Sequence, residues 1–405
     1  MSQPLEYQPV PPPLPQTGFV LAIIAWCVVG CISILLPVMN EVSQRLAPTV
    51  EAVDSAFQMQ GQYTLGAARA LESEKQALID QLASIATGPK QKQAAKIVAQ
   101  VAADPSVTIA QEDYDLGPHF PWFTQLADID TRDAAIAKAD RVFVRGIILV
   151  ITGIGLGAAS VALGILAIIL LVTGKIRFAG LRPTAPAGLY IEAFAIWLGM
   201  YLMGAILVDA VLRDAAGMTA RLMPLVLAFV VALVWPSIRG ARWGVVRRDI
   251  GLHIGRGVFR EIGAGVVGYL ACVPMIVASI FIVLVLQRFS NQQASHPIQE
   301  MLTTVHPIWI YLLAAVFAPV TEELVFRGLL LTHLRGKLGI WLSGIISGLI
   351  FAAIHPQGWI AIPTLMTIAL VLALIREWRH SLIAPMIAHG VNNAAVVTIM
   401  VLLMR

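Results

Sequence analysis

Two adjacent carboxylates and an arginine, Glu322, Glu323 and Arg327, lie inside an apolar run that extends from Tyr311 to Leu331. Ionisable side chains are costly in such a run unless they are paired or hydrated, so they indicate a functional site. On a helix, Glu323 and Arg327 are four residues apart with the acid first, the better order for an ion pair. Glu322 points about 100° away and has no local partner. A carboxylate without a neighbouring cation in a medium of low dielectric constant suits a general base near neutral pH.

Two histidine-containing pairs follow in apolar segments. Phe351 and His355 share one helix face, and His389 and Asn393 share another. The amide of Asn393 can donate a hydrogen bond to an oxyanion. Taken singly, His355 is also explained as an interfacial histidine, and the His389–Asn393 pair as a hydrogen bond between helices. Together with Glu322, these side chains are typical of a site that activates water.

The three spacings, Glu-Glu-x-x-x-Arg, Phe-x-x-x-His and His-x-x-x-Asn, occur in this order and each in an apolar helix. This combination resembles the CPBP family of intramembrane peptidases, the CAAX protease and bacteriocin-processing family, also called Abi. The resemblance covers about residues 188–404. It implies a helical bundle around a water-filled cavity, and a peptidase of metalloendopeptidase-like type that acts on a membrane-associated peptide or protein. The implied catalytic residues are Glu322, His355, His389 and Asn393, with Glu323, Arg327 and Phe351 in support.

The resemblance also implies a role for each catalytic side chain. Glu322 with His355 activates the attacking water, and His389 with Asn393 stabilises the oxyanion. Two mechanisms fit the family. In one, Zn²⁺ is bound by Glu322, His355 and His389, and in the other the enzyme is a metal-independent glutamate peptidase. A glutamate that binds the metal cannot easily be the general base as well.

Composition sets the class of protein. Of 405 residues, 58% are hydrophobic and 13% are charged, whereas a soluble domain carries about 25% charged residues. This composition predicts a polytopic membrane protein. With the apolar runs of about 20 residues and the bundle that the resemblance implies, we expect an all-α polytopic transmembrane helical bundle. The three cysteines all lie in apolar runs, so no disulfide framework is expected.

Changes in composition along the chain predict four regions. Residues 1–16 form a disordered proline-rich tail, and residues 17–39 a first transmembrane helix that is retained rather than cleaved. Residues 40–145 form a soluble helical insert with charges every few positions, and residues 146–405 form an eight-helix membrane peptidase domain with its motifs in 318–393. The total is about nine spans. The eight later candidate spans are 147–174, 188–212, 219–236, 262–287, 307–334, 338–355, 359–375 and 381–404.

Basic residues occur in alternate loops and therefore predict the topology. The positive-inside rule places the N-terminus in the cytoplasm, and the 40–145 insert and the C-terminus outside. We expect a multi-pass protein of the bacterial plasma membrane. The Arg-rich segment 238–260 suits lipid headgroups, and no nucleic-acid partner is expected. The basic loop residues are Lys175, Arg177 and Arg182, then Arg239, Arg242, Arg247, Arg248, Arg256 and Arg260, then Arg335 and Lys337, and then Arg376 and Arg379.

Two alternatives remain open at this point. Glu192 and Asp209 lie within the 188–212 candidate span, and intramembrane acids also occur in transporters that relay ions or protons. The lack of an internal repeat is against a transporter. The second alternative is an inactive family member whose insert serves as a binding module.

Overall fold

The computed structural model describes residues 22, 24–26, 29, 50–110, 116–178, 180–212, 218–290, 301–302 and 305–404. Within these residues the regular structure is helical and there is no strand. The all-α prediction is therefore confirmed. The predicted tail, residues 1–16, and all but a few residues of the predicted first span, 17–39, lie outside the described residues.

The chain divides into two compact units. One contains Met1–Ser43 and Gly157–Ala395, and the other contains Gln44–Leu156 and Val396–Arg405. The boundary at Leu156 falls inside a single helix, Arg132–Val172. The apolar segment predicted to begin at residue 147 is thus continuous with the last helix of the insert, and no break in the helix marks the predicted boundary at residue 145.

The unit that contains the insert has a buried core of its own, in which Phe57, Leu65, Val98 and Phe123 are almost completely buried. The guanidinium of Arg132 is buried as well and donates to four backbone carbonyls, two of which belong to the loop after the third helix. Backbone carbonyls in this loop thus find donors without water. The helices are α1 (Val50–Ala70), α2 (Lys75–Ile85), α3 (Pro89–Ala103), α4 (Pro121–Ala127) and α5 (Arg132–Val172).

The other unit contains most of the apolar helices. Each of the eight candidate spans predicted after the insert coincides with one described helix, counting α5 as the first. Segment 238–260, which is expected to contact lipid headgroups, contains a short helix after a sharp bend. The helices that follow α5 are α6 (Gly188–Leu212), α7 (Met218–Ile238), α8 (Trp243–Asp249), α9 (Val258–Ser290), α10 (Pro307–Arg335), α11 (Ile340–Ala353), α12 (Ile362–Arg379) and α13 (Ile383–Met404).

Five helices of the described residues are long and apolar enough to cross a membrane: α5, α9, α10, α12 with its preceding turn, and α13. The number rises to six if α7 and α8, which meet at 120°, form one broken span. The helices Gly188–Gly204 and α11 are apolar but shorter. By length and composition the chain is an integral membrane protein, whereas the predicted nine spans and the solubility of the insert are not confirmed.

An aromatic cluster connects the helices that carry the motifs. Phe326 of α10 makes edge-to-face contacts with Phe194 of α6 at 5.4 Å and with Phe351 of α11 at 5.0 Å. Phe326 and Phe351 are almost completely buried. Since buried aromatic pairs contribute beyond their area, this cluster fixes α10 against α11 directly behind the charged residues.

Candidate active site

Glu322 faces two imidazole rings at nearly equal distances. Its Oε2 atom lies 3.9 Å from Nε2 of His355 and 3.8 Å from Nε2 of His389. The Glu322 side chain is 26% exposed, whereas that of His389 is 4% exposed. The structure therefore brings together the three residues that the motifs place on three different helices or helix ends.

The other ring nitrogen of each histidine has a fixed partner. Nδ1 of His355 lies 2.6 Å from the carbonyl oxygen of Phe351, and Nδ1 of His389 lies 2.9 Å from Oε1 of Glu323. A carbonyl and a carboxylate oxygen can only accept, so Nδ1 carries the hydrogen in both rings. The Nε2 atom of each neutral ring is then an acceptor, and both face Glu322.

Three acceptors thus converge on one point between Glu322, His355 and His389. The distances exceed that of a direct hydrogen bond, and Oε2 of Glu322 is buried without a hydrogen-bond partner within the described residues. A water molecule placed between these atoms would donate its two hydrogens to two of them. Such an arrangement polarises the water and suits general-base catalysis.

Behind this point, Glu323 and Arg327 form a completely buried ion pair. Nη1 of Arg327 donates to Oε1 of Glu323 at 2.8 Å, and Nη2 donates to the carbonyl of Ala369 at 3.2 Å. The guanidinium also lies over the ring of Phe351 at 5.0 Å, and that ring contacts the ring of His355 at a tilt of 42°, with the centroids 4.0 Å apart. The pair neutralises both charges, and Phe351 connects the arginine to the histidine.

Asn393 makes a separate set of contacts. Its Nδ2 donates to the carbonyl of Ala314 at 2.8 Å, and its Oδ1 accepts from Asn392 at 3.0 Å. The hydroxyl of Tyr269 donates to Oδ1 of Asn392 at 3.1 Å. One hydrogen on Nδ2 of Asn393 remains after the bond to Ala314. Asn393, the predicted oxyanion donor, is thus held by a backbone carbonyl of α10 and by the side chain of Asn392.

The helix around Ala314 explains why this carbonyl needs a side-chain donor. α10 contains two π-helical stretches, Leu312–Phe317 and Leu324–Leu330, on either side of the segment Ala318–Glu323. The N–H of Ala318 donates to Leu313, and Pro319 has no N–H. Neither the fourth nor the fifth residue after Ala314 therefore donates to its carbonyl. Wider turns of this kind are frequent at functional sites.

A close approach of two helices brings His389 to α10. A Cβ atom added at Gly390 would lie 2.6 Å from the carbonyl oxygen of Ala315. Only glycine leaves room for the backbones at this distance. Because His389 is the neighbouring residue, Gly390 determines how near the imidazole comes to Glu323.

The structure places six of the residues named from the sequence in one cluster. The seventh, Asn393, lies on the same helix as His389 and makes other contacts. Sequence reasoning missed the carbonyl of Ala314, Gly390 and Tyr269. In the sequence, Pro319 indicates that a carbonyl one turn earlier in the helix lacks its usual backbone donor. A glycine beside a motif histidine indicates a close contact between two helices. No local pattern points to Tyr269. The six clustered residues are Glu322, Glu323, Arg327, Phe351, His355 and His389.

The donor types at the site, one carboxylate and two imidazoles, are those that bind zinc. Ligand atoms of a tetrahedral zinc lie about 3.4 Å apart when the bonds are about 2.1 Å long, and the distances from Glu322 are 3.8 and 3.9 Å. Within the described residues no group of three or more His, Cys, Asp or Glu side chains is arranged to hold a metal ion. As placed, these residues do not fit zinc.

Comparison with known proteins gives one match. Residues 304–395 match the family described as "Type II CAAX prenyl endopeptidase Rce1-like". No curated protein and no solved structure matches the chain. The matched segment contains all three motifs, and the match supports an intramembrane protease at the level of the family. Over these residues the chain is similar to the Rce1-like type II CAAX prenyl endopeptidases, which is consistent with the CPBP family that its motifs resemble.

Proposed function

We propose that this chain is an intramembrane endopeptidase in which Glu322 activates the water that hydrolyses a peptide bond. One observation carries the proposal. The Oε2 atom of Glu322, which has no hydrogen-bond partner in the described part of the chain, faces Nε2 of His355 and of His389 at 3.9 and 3.8 Å. A single water molecule fits between three such acceptors.

The reaction begins when Glu322 takes a proton from the water, which is held by His355. The resulting hydroxide attacks the carbonyl carbon of the substrate and gives a tetrahedral oxyanion. Collapse of this intermediate breaks the carbon–nitrogen bond. Glu322 then returns the proton to the leaving amine, so the carboxylate is regenerated.

The oxyanion requires hydrogen-bond donors. If His389 takes its second proton from solvent water when the substrate binds and keeps it through the reaction, its Nε2 donates to the oxyanion, and the Glu323 carboxylate at Nδ1 stabilises that imidazolium. The free hydrogen on Nδ2 of Asn393 is the second donor. The metalloendopeptidase form of the mechanism, with Zn²⁺ held by Glu322, His355 and His389, requires these atoms to approach one another by about half an ångström.

The substrate in this proposal is a peptide or protein segment that reaches the site from within or beside the bilayer. The name of the matched family includes CAAX prenyl substrates, and a prenylated C-terminal segment is one member of this class. The 40–145 insert would recruit the substrate from outside the membrane.

The proposed location is the bacterial plasma membrane, with nine spans, a cytoplasmic N-terminus and the insert outside. The support is the alternation of basic and non-basic loops. Labelling of single cysteines introduced at Arg242 and at residue 119 with an impermeant reagent tests this topology. Labelling from outside the cell is expected only at residue 119.

The test of the function is cleavage of a peptide library by the detergent-purified full chain. We expect Glu322→Gln to lower kcat by about 10³-fold, as for loss of a general base, while the melting temperature changes little because no lysine or arginine among the described residues forms an ion pair with Glu322. Equal cleavage by wild type and Glu322→Gln contradicts the proposal.

A second variant tests whether Glu322 and His355 act on the same water. If they do, the double variant Glu322→Gln/His355→Gln is expected to be no slower than Glu322→Gln alone, because residues that act as a unit are not additive. Multiplicative losses would assign the two side chains to separate steps.

A further inference from the structure

A second polar cavity lies apart from the active site. Its volume is about 200 Å³, and its walls are the segment from Gly180 to Thr184, the end of α8 with the loop that follows, and the loop after α12. We name it the basic cavity after four of its lining side chains, Arg182, Arg248, His253 and His380. None of them belongs to the site around Glu322.

One wall of the basic cavity is anchored by buried carboxylates. The N–H of Leu181 donates to Oε1 of Glu377 at 3.1 Å. The N–H groups of Thr184 and Ala185 donate to Oδ2 of Asp249 at 2.9 and 2.8 Å. The segment that carries Arg182 is therefore held at both ends, so the cavity is formed in advance of any ligand.

The opposite walls are bonded to each other. Oγ of Ser381 donates to the carbonyl of His253 at 2.7 Å, and the N–H of Leu382 donates to the carbonyl of Gly251 at 2.9 Å. His380, with a φ of 59°, turns the chain at the end of α12. These contacts fix His253 and His380 side by side on one rim.

The charge in and around the cavity is positive. Arg182 and Arg248 are exposed and have no ion-pair partner within the described part of the chain. The completely buried Arg376 lies near His253 and His380, and its Nε and Nη1 lack hydrogen-bond partners among the described residues. Burial, and then the Arg376 charge, lowers the pKa of both His253 and His380.

Among the described lining residues, the single carboxylate belongs to Asp249. Its Oδ2 accepts three hydrogen bonds, the third from the hydroxyl of Tyr190 at 2.7 Å. These three donors compensate the negative charge of Asp249. Its carboxylate therefore holds the wall of the cavity in place and repels a bound anion only weakly. Arg182 and Arg248 remain as donors with forked geometry, which suits a phosphate group.

We propose that the basic cavity binds a phosphate group, carried either by an anionic phospholipid headgroup or by a small soluble phosphate. The cavity is bounded by loops and helix ends whose basic residues the positive-inside rule assigns to one side of the membrane. That side places the cavity within reach of headgroups. The inference is independent of the proposed peptidase function.

The experiment uses the full chain in detergent and two matched double variants. Arg182→Gln/Arg248→Gln removes both cavity arginines, and Arg242→Gln/Arg260→Gln removes two exposed arginines that do not line the cavity. Native mass spectrometry measures bound phosphatidylglycerol against phosphatidylcholine, and thermal unfolding measures the effect of inorganic phosphate. Both variants change exposed side chains, and their folding is verified by gel filtration and circular dichroism.

For a headgroup, phosphatidylglycerol is expected to bind the wild type and the control, and to bind the cavity variant about tenfold or more weakly, as for two lost charge-assisted hydrogen bonds. For a soluble phosphate, inorganic phosphate raises the melting temperature of the wild type and the control but not of the cavity variant, and the lipid does not distinguish them. No binding by the wild type, or equal binding by all three proteins in both measurements, overturns the proposal.

Discussion

His389 and Glu323 form a histidine–carboxylate pair, with Nδ1 of the ring 2.9 Å from Oε1 of the acid. The same oxygen accepts a hydrogen bond from Nη1 of Arg327 at 2.8 Å. A single buried atom therefore orients a proposed catalytic ring and neutralises a buried cation. Both functions depend on the negative charge of Glu323.

The variant Glu323→Gln is expected to lose both functions. Activity should fall by about 10²-fold, because the ring of His389 loses the carboxylate that stabilises its protonated form. Stability should fall by about 3–5 kcal/mol, because Arg327 is left buried without a counter-charge. Peptide cleavage and chemical denaturation measure the two losses.

A second variant separates these effects. Glu323→Gln/Arg327→Met removes both charges, and we expect it to be more stable than Glu323→Gln but no more active. If activity returned together with stability, the role of Glu323 would be to balance Arg327 and not to serve His389.

Asn393 and Pro319 are expected to be coupled through the carbonyl of Ala314. Asn393→Ala should cost about 1 kcal/mol, since it leaves the partly buried carbonyl of Ala314 without its donor. In a Pro319→Ala background the backbone gains an N–H that can donate to the carbonyl of Ala314. The Asn393→Ala substitution should then lower stability by at least about 0.5 kcal/mol less than it does in the wild type. Denaturation of the four proteins measures the coupling energy.

The same four proteins test the proposed oxyanion role of Asn393. If its free Nδ2 hydrogen binds the oxyanion, kcat stays low in Pro319→Ala/Asn393→Ala although stability recovers. Recovery of kcat as well would make Asn393 a positioning residue for α10.

The active-site cluster was largely predictable because helical periodicity and three apolar motifs specify which side chains share a face. The ion pair between Glu323 and Arg327 follows from their i, i+4 spacing alone. The meeting of Glu322, His355 and His389 does not follow from periodicity. It was expected from the combination of an acid and two histidines in apolar segments and from the resemblance to a family. The roles of these residues stay predictions.

The contacts of Asn393 were not predictable in the same way. The i, i+4 rule places Asn393 beside His389, but its partner is set by the wider turns of α10, and hydropathy does not show such turns. The predicted boundary at residue 145 rests on composition. Composition changes there from polar to apolar, whereas helical hydrogen bonding continues through Arg132–Val172.

Gly390→Ala is expected to be harmful because its new methyl group would lie 2.6 Å from the carbonyl oxygen of Ala315. α13 would have to move away from α10, at a cost of about 1–3 kcal/mol, and His389 would move with it. Gly263→Ala in α9 is the matched control, since nothing lies within 4 Å of its added methyl group. The control should be neutral or more stable by up to about 1 kcal/mol, with unchanged cleavage.

Removal of metal is expected to leave peptide cleavage intact. The distances of 3.8 and 3.9 Å from Glu322 to the two imidazoles exceed the separation of ligands in a tetrahedral zinc site, which is about 3.4 Å. The measurement is cleavage after treatment with phenanthroline, with zinc content determined on the same sample. Inhibition that zinc reverses, together with loss of zinc in His355→Gln, would show that the three side chains close around a metal.

Glu192 provides the test of the transporter alternative. Its Oε2 accepts from Nε1 of Trp235 at 3.0 Å and from Nε of Arg239 at 3.1 Å, and the carboxylate is buried; the side chain of Asp209 lies outside the described residues. A paired acid of this kind connects α6 to α7.

We expect Glu192→Gln to lower stability by about 1–3 kcal/mol, because a buried hydrogen-bonded charge is lost, and to leave kcat of the folded protein unchanged. Proton or ion uptake by wild type in liposomes that disappears in Glu192→Gln, without loss of folded protein, would instead assign Glu192 to a transport pathway.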